Sequence, residues 1–254
     1  MTNPPTREES NQRIIDERIR AIEQIKRLYA VIMGFAITQL IGNQYAVTQT
    51  SHYSWRVELP FLVAQTVTFG TLITLFYLGA ERMLEARYLR NDSPVATRWG
   101  LLIDLVMLAT QGFMFVFLAN TVPGDLSPPQ GTDWPAWRIQ LEQANQLSFV
   151  DALIVINALD SCFLAIQLVR LARSGHISGP VRAEANRAHW IWFRLNCFML
   201  ILLLAARQVA HTDFSICTVT INLLSALLVI FHLARFWADY ARTFRFYYPS
   251  EQLT

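Results

Sequence analysis

Six blocks of apolar residues, at 28–43, 61–80, 99–119, 147–169, 188–206 and 214–234, alternate with polar connections along the chain. One helical pass through the hydrocarbon of a bilayer needs roughly 20 such residues, and the blocks cluster around that length. A segment in hydrocarbon must satisfy its own backbone polar groups, which a helix does and an irregular stretch does not. The pattern therefore predicts an all-α, polytopic integral membrane protein, a six-transmembrane-helix bundle. The first block is the shortest and contains Gln39. Ahead of it, Ile14, Ile15, Ile19, Ile22 and Ile25 recur at helical spacing among Arg, Glu and Gln. That spacing predicts an N-terminal cytoplasmic amphipathic helix continuous with the first span, a surface for membrane lipid or a protein partner. The expected organisation is an arm at 1–27, a transmembrane domain at 28–240 and a cytoplasmic tail at 241–254.

The connections refine this picture. Asn91, Asp92, Ser93 and Pro94 are turn residues that close the second helix. The longest connection, 120–146, is rich in Pro and Gly at first, then carries Trp134 and Trp137, placed at headgroup level, and a short helix at 137–146. Ala30 and Gly34 are four apart, a pair of small residues that lets another helix approach closely. The fourth and sixth blocks echo each other when Asn157 is set on Asn222 and Arg170 on Arg235, and the second ends alike at Arg82. This predicts three hairpins of common orientation, as in parallel repeats.

Charge orients the bundle. Positive residues crowd four segments: the arm from Arg7 to Arg27, the 2–3 connection with Arg82, Arg87, Arg90 and Arg98, the 4–5 connection with Arg170, Arg173, Arg182 and Arg187, and the tail with Arg235, Arg242 and Arg245. The opposite side has Arg56, Arg138 and Arg207. The positive-inside rule then places both termini in the cytoplasm, across a plasma (inner) membrane, with the first span as an uncleaved signal. Charged residues make up 16% of the chain and hydrophobic ones 53%, against about 25% charged in a soluble domain. The arginines sit beside spans rather than along a free face, which argues against a nucleic-acid partner. A single Lys beside twenty Arg points to a bacterial, GC-rich source. Cys162, Cys197 and Cys217 lie in apolar blocks at no metal or redox spacing, and are expected to be buried thiols.

The candidate chemistry lies in polar residues inside the spans. Asp160 falls near the middle of the fourth block, where a carboxylate facing lipid costs roughly 2.5–3.5 kcal/mol. It must therefore face protein, water or a partner. Asn157, Asp160 and Gln167 share one helical face, whereas Asp151 points the other way. Depth counted from the flanking arginines pairs Asp104 with Arg194 near the inner edge, and Asp151 with Arg207 near the outer edge. Asp160 has no matched cation, although Arg194 could reach toward it. Asn222 joins this polar path on the sixth span.

Sharper chemistries fit poorly. The 5–6 link is too short for a pore loop and selectivity filter. Ser161 and His232 invite a nucleophile–base pair, but their depths differ by about 9 Å. The histidines share no level, so no metal or haem site, and no other cofactor, is expected. There is no recognisable catalytic motif. Two function classes remain in front: a small transporter or oligomeric channel with a polar path around Asp160, and a non-catalytic sensor, anchor or assembly partner using the arm and the 120–146 outer loop.

Overall fold

The computed structural model describes residues 7–49, 58–88, 98–122, 134–173, 180–212 and 218–247. Among them the chain forms six helices and no strand: α1 (Arg7–Thr48), α2 (Glu58–Tyr88), α3 (Arg98–Asn120), α4 (Trp134–Arg173), α5 (Pro180–Thr212) and α6 (Thr218–Tyr247). Prolines stand in the first turns of α2, α4 and α5, where the missing N–H would have no helical acceptor in any case. Each of α1 to α5 contains a stretch long and apolar enough to cross a membrane. The helix expected at 137–146 is part of α4, which runs unbroken from Trp134. The side chains of Trp134, Trp137 and Asn222, and all of Cys217, lie outside the described residues.

Around the bundle the neighbours run α1, α3, α4, α5, α6, α2 and back to α1, and α2 also touches α5 across the interior. Contacts fix the directions. Ile32 meets Gly112, and Asn43 donates to the carbonyls of Ala119 and Val122, so α1 and α3 run parallel. Lys26 pairs with Glu81 and Glu85 at one end of α1, and Gln44 bonds Leu62 and Thr66 at the other, so α1 and α2 are antiparallel. Three rotated hairpins would alternate up and down all the way round. Here α1 lies beside parallel α3, and α2 beside parallel α6, so the first hairpin is reversed in the ring. The common orientation expected from the echo is present, with α1, α3 and α5 running one way and α2, α4 and α6 the other, but the three hairpins are not arranged as rotated copies.

Aromatic side chains fill the centre, with Phe115 of α3 edge-on to Phe69 and Phe76 of α2 at 5.8 and 5.2 Å. Val31, Phe35, Phe113, Ile201 and Trp237 face outward, a large apolar surface of the kind lipid covers. Cys162 also faces outward and Cys197 is half-buried, so neither is the buried thiol expected. Ala30 is exposed, and a side chain on Gly34 would meet nothing within 4 Å, so that small pair holds no helix within this chain. The close approach occurs at Gly112, where an added Cβ would stand 2.6 Å from Ile32.

Candidate functional site

Four helices bring their mid-length polar residues to one point. The Asp160 carboxylate on α4 accepts from Gln111 Nε2 on α3 at 2.7 Å and from the Asn196 amide on α5. The Asn196 carbonyl oxygen accepts in turn from Arg235 on α6. Arg235 also donates to Asn157 Oδ1 at 2.7 Å, and the Asn157 amide is anchored on the Leu153 carbonyl. Carboxylate, bridging amide and guanidinium thus form one hydrogen-bonded cluster. Asp160, Gln111 and Asn196 each stand near the middle of the apolar stretch of their helix. Burying either charge alone in such a place is strongly unfavourable, so each is held by the presence of the other.

One turn further along α6, Asp239 accepts from Trp192 Nε1 at 2.5 Å and from Thr243 Oγ1 at 3.0 Å. Asp160, Arg235 and Asp239 line a cavity of about 70 Å³, together with Gln111, Gln167 and Trp192. Phe, Leu and Met side chains form its apolar walls. The space holds several waters or one small ligand. Two carboxylates and one guanidinium line the same space. Among the described residues no group of His, Cys, Asp and Glu could hold a metal ion.

A second cluster lies toward the start of α3 and the end of α4. Asp104 is fully buried and accepts from Tyr88 Oη at 2.5 Å, from Gln167 Nε2 at 3.1 Å and from Arg170 at 3.1 Å. Gln167 lines the cavity on the same side of α4 as Asp160 and also bonds Asp104, linking the cavity to this second cluster. The outer pair Asp151–Arg207 forms at 2.5 Å, with both side chains nearly half exposed.

Two expectations need correction. Asp104 does not pair with Arg194, because α4 separates α3 from α5. Arg194 lies on the exposed side of α5, over the Trp190 ring at 5.8 Å. Equal depth placed the two at one level but gave no information on which way each faced. For the same reason Arg194 does not reach Asp160, and the cation beside Asp160 is Arg235, whose charge acts on that carboxylate. Sequence reasoning placed Arg235 in the basic tail at the membrane exit. It is 8% exposed, and α6 continues for three more turns beyond it. The missed signal was the run His232, Arg235, Asp239 and Thr243, all buried and at helical spacing. Gln111, Asn196 and Trp192 carried no comparable mark, being single polar residues in apolar blocks. Ser161 donates to the Asn157 carbonyl at 2.7 Å, and His232 Nδ1 lies 2.8 Å from the Leu228 carbonyl. Neither is directed at the other. Asn222 is beyond the described side chains. Comparison with protein-family models, curated proteins and solved structures gave no match, so the chemistry of the site carries the functional reading by itself.

Proposed function

We propose that this chain is a six-span protein of the plasma membrane, with both termini cytoplasmic, that moves a small cation across the bilayer through the cavity at Asp160. The observation carrying this reading is the charged cluster itself. Ionisable side chains are expensive in the middle of a bundle of apolar helices, and where they occur they commonly line the path of a translocated species. Simple helix association needs less than two carboxylates and a guanidinium set around a cavity. The cavity also reaches through Gln167 to the Asp104–Arg170 cluster, which supplies a polar leg toward the arginine-rich ends of the helices. Orientation is supported by the arginine distribution, and α6, at 30 residues, is long enough for a sixth span.

The test is flux in proteoliposomes containing the purified protein. Asp160→Asn keeps the shape of the side chain and its capacity to hydrogen-bond, and removes the charge. Transport of the cation should fall to the level of empty vesicles, with helical content and elution volume unchanged. Wild-type flux from a folded Asp160→Asn protein would remove the proposal.

A further inference from the structure

Five polar atoms on four side chains are buried and make no hydrogen bond within the protein: Tyr29 Oη, Thr68 Oγ1, both amide atoms of Gln65, and His232 Nε2. Native structures seldom bury such atoms without a partner, and ordered water is a usual one. Three of these side chains lie on two helices that pack on each other, Gln65 and Thr68 on the buried side of α2 and His232 on the buried side of α6. Gln65 and Thr68 are three apart on α2, on the face that continues through Leu72 and Phe76 to Gly79 at the cavity. His232 stands one turn before Arg235 on the face of α6 that lines the same cavity. The two helices run parallel and pack on each other. With Gly79 level with the Arg235–Asp239 turn, the helical rise puts Thr68 roughly 16 Å toward the outer end, Gln65 a turn beyond it, and His232 between Thr68 and the cluster.

The chemistry of these groups narrows what they can carry. The Leu228 carbonyl can only accept, so the proton of a neutral His232 ring is on Nδ1, and Nε2 presents a bare lone pair. Gln65 and Thr68 each offer both a donor and an acceptor. A metal ion shedding its water needs about six oxygen ligands, and this leg offers only two side-chain oxygens. A proton passed from water to water needs no ligand set at all.

We propose that the outer half of the bundle interior, between the buried sides of α2 and α6, is a hydrated access route, by which water and the protons it carries reach the Asp160–Arg235 cluster past Gln65, Thr68 and His232. This rests on the translocation reading and specifies its species as the proton. Each transfer passes a proton from one water to the next along the hydrogen bonds those waters would make, one O–H bond breaking as another forms, with no redox partner and no leaving group.

The experiment uses the full chain in proteoliposomes, with its three cysteines replaced by alanine and single cysteines at Thr68→Cys or Gln65→Cys. Silver ion added from outside is the probe, and free thiols are counted after denaturation. Both cysteines should be blocked, while Val106→Cys on the outward face of α3 remains free. A Thr68→Cys thiol that stays free in protein with a wild-type melting temperature overturns the route. Thr68→Val gives a reading without reagent. In a dry site, loss of an unpartnered hydroxyl raises the melting temperature by several degrees, which would overturn the proposal. In a hydrated site the temperature stays level or falls, and proton flux read by a trapped pH dye drops at least several-fold. The two readings separate cleanly. Silver access with unaltered flux in Asp160→Asn retains the route and removes translocation. Blocked flux in Asp160→Asn without silver access does the reverse.

Discussion

Removal of the Arg235 guanidinium would strand two acceptors, Asn157 Oδ1 and Asn196 Oδ1, and take away the cation that sits one bridging amide from Asp160. Arg235→Met should therefore cost about 3–5 kcal/mol, the range for breaking a buried pair from one side. Adding Asp160→Leu to that variant removes the uncompensated carboxylate, so the double variant should be less damaged than the sum of the singles. Equilibrium unfolding in detergent measures both, and strict additivity would show that the two charges do not interact. Asp151 and Arg207 present the opposite case. They are bonded at 2.5 Å, but both side chains are nearly half exposed, where water competes and the pair holds little free energy. Asp151→Asn should leave the unfolding midpoint unchanged, and a clear drop would mean the pair is sheltered in the membrane. Asp160 was legible from its type and place in an apolar block. Its partners were not, because a one-dimensional count gives depth and leaves direction open.

Between elements, the contact of α1 with α3 depends on Gly112. Alanine usually improves a helix interior over glycine by roughly 0.5–1 kcal/mol. At Gly112 its Cβ would stand 2.6 Å from Ile32 Cγ2, and overpacking of this kind typically costs about 1–3 kcal/mol. The clash outweighs the propensity gain, so Gly112→Ala should lower stability, and Ile32→Ala in the same protein should restore part of it. Thermal unfolding of the three variants decides this, and a more stable Gly112→Ala protein would contradict the close packing. Gly34, with nothing within 4 Å, is the control at which alanine should be harmless. The sequence marked Gly34, four from Ala30, and gave Gly112 no such mark. Which one meets a neighbour depended on how α1 is rotated, and α1 presents Met33, Ala36 and Leu40 inward instead.

At the scale of the whole molecule, the ring places a parallel pair on each side of the first hairpin. Polar contacts then sort by level: Lys26 with Glu81 and Glu85, and Asp104 with Arg170, toward one end; Asp160 with Asn196 and Gln111 in the middle; Asp151 with Arg207 at the other. If the arginine-rich end faces the cytoplasm, reporter domains fused to the two termini should both give cytoplasmic signals in intact cells. A signal from the opposite side of the membrane with either fusion would overturn the six-span orientation.

Apolar block length and the scarcity of breakers determined the helices, since long uninterrupted runs of this kind satisfy their backbone groups most simply as helices. Residue type alone also identified Asp160 as a group needing shelter. The tertiary structure decided the ring order, the reversal of the first hairpin, and the choice of Arg235 over Arg194 and of Arg170 for Asp104. Those outcomes depend on the rotation and axial offset of each helix, which are set by side-chain packing between segments distant in the chain. Local periodicity gives a helix its faces, and only the assembled neighbours determine what each face meets.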